Sequence, residues 1–409
     1  MTEITIKRLG MQGDGVADGP IYVPVTLPGE VVTGTLDGTV LRDAKVLQPS
    51  ERRVTAPCKH FKSCGGCQLQ HADDDFVAEW KVDVVRHALQ AHGLETDFKP
   101  IQTSPPLSRR RAGFATRRTK KGAMAGFHGR ASDTIVAVPD CKLVDPAVLK
   151  AIPVAEALAV IGASRKTALS VMVTTTKAGL DVAVTQGKPL DGPLQQHLAS
   201  ACDQLGLARL TWNGDVVAMR TPPVHSIAGV SVAPPPGAFL QATSHGETAL
   251  TQAVMDIAGD AKRVIDLFAG CGTFTLPLAC GAEVHAVEGM PKMVEALDYA
   301  WRNAPGLKTV TNEVRDLFRR PLQPDEMAKA QALVLDPPRA GAAAQIAEIA
   351  KAKLARVAYV SCNPVSFARD ALTLVNAGFT LDWIQVVDQF RWSAHVELVA
   401  SFTAPQGRG

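Results

Sequence analysis

The sequence predicts a mixed α/β protein in three parts: an OB-like β-barrel at the start, an α+β unit in the middle, and a doubly wound, Rossmann-like parallel sheet thereafter. Three observations carry that expectation. From about residue 239, short apolar runs (RVIDLF, VHAV, ALVLD, VAYVS) alternate with helical stretches such as PKMVEALDYAWRN and AGAAAQIAEIAKAKLA, as buried parallel strands joined by crossover helices do. Up to about residue 53, period-two runs (ITIKRLG, IYVPVTL, EVVTGTL, KVLQPS) are punctuated by GDG, DG, PGE and DG, which reads as short strands and tight turns. A chain of 409 residues also exceeds what one hydrophobic core organises.

The composition narrows the class. With 46% hydrophobic and 20% charged residues, the chain reads as a soluble globular enzyme. Its start, MTEITIKRLG, lacks the apolar core of a signal peptide, and the longest charge-free stretch, about 222 to 246, holds five prolines and cannot be a membrane helix. A cytoplasmic, monomeric protein with no membrane partner is the expectation. Eight cysteines are too sparse for a disulfide scaffold, so any cluster of them reads as metal-binding or catalytic.

The first block, residues 1–53, resembles a TRAM domain through RLGMQGDGVADG, VPVTLPGE and the PSERRV exit, and such barrels often bind RNA. The second block opens with Cys58, Cys64 and Cys67 in the pattern C-x5-C-x2-C, and Cys141 follows in VPDCKLVD. Three cysteines bracketing Gly65 and Gly66 are not a core-packing pattern; four thiolates suit tetrahedral zinc or an iron-sulfur cluster, and spacing alone does not separate these. A structural role is expected, because radical chemistry uses three cysteines and an open iron. Further on, SRRRAGFATRRTKK (108 to 121) holds seven Arg/Lys and no acid, which suits either a phosphate backbone or a solvated strand pair. Phe114 and Phe127, lying among these basic residues, are expected in the core rather than on a base.

In the third block the chemistry-bearing residues fall where a doubly wound sheet places its ligands, at the carboxyl ends of strands. They are Asp266, Gly270 and Gly272 in DLFAGCG, then Glu288, Asp316, Asp336 and Cys362. The glycine loop reads GxGxxT, without the third small residue of nicotinamide sites. Asp266 before it and Glu288 closing the next strand fit S-adenosylmethionine, whose ribose hydroxyls need a carboxylate. In LDPPR, Arg339 stands where amine methyltransferases carry an aromatic residue, which argues against amine methylation. Uracil C5 is too weak a nucleophile to take a sulfonium methyl unaided, so a thiolate must first add at C6. Cys362 in YVSCNP would supply it, and Glu397 in SAHVELVASF would remove the C5 proton as a base raised by burial within the final strand.

Together DLFAGCGTFTLPLA, LDPPRAGA, YVSCNP and HVELVA resemble the RNA 5-methyluridine methyltransferases over nearly the whole chain. The TRAM-like start and four-cysteine pattern resemble the branch acting on large-subunit (23S) ribosomal RNA. The resemblance implies a class I methyltransferase domain, RNA as partner, and Cys362 as nucleophile with Glu397 as base, Asp336 standing with them. It further implies that Gln241, Phe268, Thr273, Glu288, Asp316 and Asp336 line the cofactor site, and that the four cysteines hold a [4Fe-4S] cluster rather than zinc. It also implies a discontinuous layout: 1–53 the barrel, 54–69 with 103–238 the central unit, and 70–102 with 239–409 the catalytic domain.

The sequence departs from the family pattern at Thr243 in FLQAT where asparagine is usual, at Phe390-Arg391 where phenylalanine-proline is usual, and at Ser108 where tyrosine is common. Two alternatives stay open. A cytosine-5 RNA methyltransferase would need the same sulfur chemistry, though no proline precedes Cys362; a catalytically silent RNA-binding assembly factor would keep the fold without turnover. Transfer RNA fits less well as substrate, since enzymes acting on it usually lack the barrel and the cysteine cluster.

Overall fold

Strands that are apolar along their whole length can only be buried on both faces, and here they build an eight-stranded sheet. Its order is Val310–Val314, Glu283–Glu288, Arg263–Leu267, Ala332–Leu335, Arg356–Ser361, Leu398–Thr403, Thr380–Asp388 and Asp97–Thr103 in the computed structural model, which describes residues 3–405. The first five run parallel, while Leu398–Thr403 is antiparallel to both its neighbours. Helices Ser244–Ala258, Pro291–Arg302 and Pro364–Asn376 cover the sheet, the last started by Asn363, whose side chain accepts from Val365 N at 3.2 Å with Pro364 at the first helical position.

The edge strand Asp97–Thr103 comes from far earlier in the chain and pairs parallel with Thr380–Asp388. It follows helix Asp74–Gln90, which Asp73 caps by accepting from Phe76 N at 2.7 Å. Lys81 on that helix is fully buried; its Nζ donates to Asp388 Oδ1 at 2.6 Å and to the Phe390 carbonyl at 3.1 Å. A buried ammonium without such partners would be strongly destabilising, so the pair fixes where the helix docks.

The N-terminal six-stranded sheet has the order Ile4–Thr5, Val31–Asp37, Val40–Gln48, Ile21–Val23, Gly15–Ala17, Arg8–Leu9. The segment Ile4–Leu9 curls it round, pairing with Val31 and Val32 at one end and with Gly15 and Val16 at the other. Glu30, fully buried, accepts from Leu27 N at 2.8 Å and is ion-paired to Arg53, which anchors the exit of this unit.

The middle of the chain forms a seven-stranded sheet with helices Ile152–Gly162 and Gly192–Gln204 packed on it. The basic segment makes most of strand Arg111–Thr119, hairpin partner of Gly122–His128. Phe114 is buried and stacks on Phe127 with ring centroids 5.3 Å apart, so both are core residues. Among the described residues no helix is long and apolar enough to cross a membrane.

Candidate active site

Parallel strands end at one edge of the sheet, and that edge carries a cavity of about 740 Å³. Gln241, Phe268, Gly270, Thr273, Glu288, Asp316, Asp336, Cys362 and Glu397 all line it. Asp336 directly follows strand Ala332–Leu335, and Cys362 directly follows Arg356–Ser361. Glu397 lies one residue ahead of the final strand, Leu398–Thr403, rather than inside it. Because that strand runs against the others, its beginning shares an edge with their ends, which is how a carboxylate before a strand meets a thiol after one.

Asp266 and Gly272, expected at the cofactor from the sequence, are not among the residues that line the cavity. Asp266 lies fully buried beneath the loop, where Thr275 Oγ1 donates to its Oδ2 at 2.5 Å. Gly272, at φ +93°, closes the packing: a Cβ there would meet Leu297 Cδ1 at 2.5 Å. The loop is nevertheless shaped for close approach. Gly270 has φ +56° and Phe268, without glycine's freedom, has φ +59°, a conformation that costs free energy and concentrates at functional sites. Glu288 braces it, its carboxylate accepting from Gly270 N at 3.0 Å and Met290 N at 2.9 Å. Phe268 and Phe318 flank this side, 5.7 Å apart, next to Asp316, which accepts from Phe318 N at 3.0 Å. An apolar cleft with two carboxylates and exposed glycine backbone suits an adenosyl group with a polar amino-acid tail.

At the other side, amides join the carboxyls of Glu397 and Asp336. Gln389 Nε2 donates to Gln241 Oε1 at 2.6 Å and to Glu397 Oε2 at 3.1 Å, and Gln241 Nε2 reaches Asp336 Oδ2 at 3.4 Å. Gln389 is itself fixed, its Oε1 accepting from Ala242 N at 2.8 Å. Burial raises both Glu397 and Asp336 above the ordinary carboxylate range, and the Asp336 charge raises Glu397 further. The Cys362 thiol is pushed up to about 11, first by burial and then by Glu397 and Asp336, with the Arg339 guanidinium pulling the other way. The Arg339 carbonyl is pinned by Asn363 Nδ2 at 2.8 Å and Ser366 Oγ at 3.1 Å, which locks the DPPR loop to the turn after Cys362. Gln389 escaped sequence reasoning; a neutral amide at the end of VVDQF gives no periodic or charge signal. His395, which also lines the cavity, was passed over inside HVELVA.

A second cavity, about 320 Å³, is lined by all four predicted cysteines, Cys58, Cys64, Cys67 and Cys141. Gly66 N donates to Cys64 Sγ at 3.4 Å and Leu143 N to Cys141 Sγ at 3.5 Å, and Arg109 and Arg130 lie close enough to interact electrostatically. Gly65 is required where it stands, since a Cβ would meet the carbonyl oxygens of His128 and Gly129 at 3.0 Å. Among the described residues no three His, Cys, Asp or Glu side chains converge tightly enough to share a single metal ion. The two cavities share a wall: His395 lines both, and Gln68 N and Leu69 N donate to the Trp392 carbonyl at 2.8 and 2.9 Å.

The departures from the family pattern find local reasons. Thr243 caps helix Ser244–Ala258, accepting from Gly246 N at 2.9 Å, a task threonine shares with asparagine. Arg391 is ion-paired to Asp74 and donates to the Ser104 carbonyl at 3.1 Å, and Ser108 Oγ donates to the Pro105 carbonyl at 2.6 Å. The basic segment divides. Arg110 is ion-paired to Glu247 and donates to the Gln241 carbonyl at 3.0 Å, Arg111 donates to the Gly237 carbonyl at 3.2 Å, and Arg109 stands over the Phe390 ring. These three brace the cavity wall, and the other four, Arg117, Arg118, Lys120 and Lys121, stay toward solvent.

A protein-family model described as tRNA (uracil-5-)-methyltransferase matches residues 234–402. An RNA methyltransferase of Caulobacter vibrioides of uncharacterised specificity is 43% identical, the match covering 98% of this chain and all of the relative. The 23S rRNA (uracil(1939)-C(5))-methyltransferase RlmD of Pseudomonas putida is 34% identical, with 98% and 93% covered. Among solved structures, the tRNA (uracil-54, C5)-methyltransferase of Pyrococcus abyssi, in complex with S-adenosyl-L-homocysteine, matches with a TM-score of 0.75 at 23% identity. It covers 98% of this chain and 99% of that one, and so supports the fold. With a thiol and a raised carboxyl on one cavity and these full-length relatives, the chain belongs to the RNA 5-methyluridine methyltransferase family, enzymes that methylate uracil C5 in RNA with S-adenosylmethionine.

Proposed function

We propose that the chain methylates uridine in 23S ribosomal RNA, in the cytoplasm, through a covalent adduct at Cys362. The observation that carries the adduct is Cys362 and Glu397 on one cavity, joined to the cofactor side through Gln389, Gln241 and Asp336. The full-length 34% identity to a 23S rRNA enzyme supports the choice of ribosomal RNA over transfer RNA.

In this reading the target uridine leaves its stack, at a cost of a few kcal/mol, and enters beside Cys362. The Cys362 thiolate bonds to C6, and the electron pair of the C5–C6 bond moves toward C5 and the O4 carbonyl. Phe268, Gly270, Thr273, Glu288, Asp316 and Asp336 would hold S-adenosylmethionine, which would supply the methyl group to C5 with cleavage of its S–CH3 bond and leave as S-adenosylhomocysteine. Glu397 then removes the C5 proton, the double bond re-forms, and Cys362 leaves as thiolate. Arg339 offsets charge on the sulfur and, through its pinned carbonyl, holds Asp336 and Cys362 in register. Gln389 keeps the Glu397 carboxyl aimed at the ring.

Cys58, Cys64, Cys67 and Cys141 would hold a [4Fe-4S] cluster as a structural brace. Four thiols spread round a cavity, two with amide N–H groups at their sulfurs, suit a polynuclear cluster better than one zinc ion. The N-terminal barrel is read as a TRAM-like RNA-holding module, and Arg117, Arg118, Lys120 and Lys121 as phosphate contacts.

The test is incubation of anaerobically purified protein with methyl-labelled S-adenosylmethionine and unmodified 23S rRNA, then mass spectrometry of the digested nucleosides. 5-Methyluridine in 23S rRNA is the expected product. Label in 5-methylcytidine would replace the base assignment, and label only in transfer RNA would replace the substrate.

A further inference from the structure

The amino ends of parallel strands lie at the edge of the sheet opposite the catalytic cavity, and there a second charged cleft of about 530 Å³ opens. Lys262, Arg263, Gly281, Glu283, Lys308, Lys329 and Gln331 line it. Each lies at or just before a strand, and the strand order sets them in a row: Lys308 before Val310–Val314, Glu283 opening its own strand, Lys262 and Arg263 next, then Lys329 and Gln331 before Ala332–Leu335. Three strand spacings make that row roughly 14 Å long.

The charge in this cleft is one-sided. Arg263 is ion-paired to Glu283 at 3.2 Å, and the nearby Asp260 is occupied by Arg356 at 2.6 Å. Lys262, Lys308 and Lys329 are exposed and form no ion pair among the described residues. The whole chain carries a net charge of only +3, so this concentration does not follow from overall composition. The floor is rigid: Gln331 Oε1 accepts from Lys262 N at 2.5 Å and Arg263 N at 3.3 Å, Gln331 N donates to the Arg263 carbonyl at 2.9 Å, and Lys308 N to the Ala279 carbonyl at 2.7 Å. Lysines held at fixed stem positions around a cleft present a preorganised cationic surface to an extended polyanion.

We infer that this cleft is a second RNA contact, gripping the phosphate backbone of a part of the substrate remote from the methylated uridine. The grip is sequence-independent, because lysines in a cleft read charge and spacing rather than base edges. An RNA that reaches it while its target uridine occupies the catalytic cavity must wrap round the edge of the sheet. The contact therefore serves long, folded RNA and is out of reach of a short hairpin.

The experiment compares the wild-type enzyme with the triple variants K262E/K308E/K329E and K262Q/K308Q/K329Q, on a long rRNA transcript and on a short uridine-bearing hairpin. Affinity is read by titration at several salt concentrations, independently of turnover, so a wrong choice of methylation substrate leaves the test intact. Retained S-adenosylhomocysteine binding and an unchanged Tm establish that the variants are folded. The expected result is a Kd for the long transcript raised roughly tenfold by the glutamate variant and less by the glutamine one. The log–log salt slope should also fall by about two, since each phosphate contact contributes about 0.7 to 0.9, while hairpin binding is unchanged. Equal affinities and slopes for wild type and variants on the long transcript would overturn the proposal. So would an equal loss on the hairpin, which would place the lysines' effect at the catalytic cavity.

Discussion

In the catalytic pocket the Cys362 thiol is set against Glu397, Asp336 and the Arg339 guanidinium; in the adjoining cavity four thiols share the lining with two arginines nearby and backbone N–H groups at two of the sulfurs. Burial raises sulfur in both places, Cys362 to about 11 and Cys67 to about 12. The neighbours set the difference. A thiol at the wall of an open cavity, beside carboxyls that burial has raised, has room to form and break a bond. Four thiols set round one cavity, two of them receiving amide hydrogen bonds, have no carboxyl partner of that kind among the described residues and suit the cluster proposed above. Residue type alone would have assigned the same chemistry to both.

Removing the Cys362 thiol is the strongest way to break this contrast. Cys362→Ala should lower kcat by roughly 10³-fold or more, while leaving S-adenosylmethionine affinity and thermal stability unchanged; rapid methylation by this variant would end the assignment. Glu397→Gln should reduce turnover by about 10²- to 10⁴-fold and leave protein and RNA covalently joined, visible as a band resistant to denaturing gel electrophoresis. Its absence would move the proton-accepting role elsewhere. On the other side of the wall, Cys141→Ser in anaerobically prepared protein should bleach visible iron-sulfur absorption and lower Tm by several degrees. A variant with full colour and stability would show that the four cysteines do not act together.

A subtler comparison concerns pH. The thiolate of Cys362 becomes more abundant as pH rises toward about 11, so adduct formation should accelerate with pH through the neutral range. Arg339→Gln should slow adduct formation by about tenfold and displace that profile to higher pH; an unshifted profile would show that Arg339 acts only through its backbone. The smallest effect is on stability. Burial raises Asp266 from 3.8 to about 7, so its folded state holds a proton that the unfolded chain has lost. That contribution is full below about pH 4 and disappears as pH rises through about 7. Asp266→Asn should therefore gain a few degrees in Tm at about pH 8.5 relative to wild type, less at about pH 5 and nothing below about pH 3.5, as scanning calorimetry would register.

Much of this was legible in the sequence because strand ends in a doubly wound sheet are also ligand sites. Cys362, Asp336 and Glu288 could be placed from apolar runs alone, and the strands RVIDL, ALVL and RVAYVS appear where those runs lie. Asp266 shows the limit of that logic: its motif is intact, yet the side chain turns under the loop, because period-two alternation says which face a residue takes but not whether a loop covers it. Gln389 and Lys81 were illegible for another reason. Each acts through partners distant in sequence, Lys81 with Asp388 across 307 positions and Gln389 with Gln241 across 148, and no local pattern encodes such pairs. The basic segment was legible only as charge; that its first three arginines serve as braces depends on a fold that puts Glu247 and Gly237 beside them.

Strand Asp97–Thr103 also dictates an order of events during synthesis. Its partner lies some 285 residues later, as the Gln385 to Pro100 hydrogen bond measures. At about 5 to 20 residues per second a ribosome needs roughly 15 to 60 s to supply that partner. Throughout that interval the nascent strand presents an unpaired edge, the kind of surface that recruits chaperones or other strands. The loop bearing Glu397 emerges in the same late stretch and lands on Gln68 and Leu69, made long before. An unfinished chain therefore has neither a closed sheet nor Glu397 at the cavity, and the site is completed together with the last structural seam.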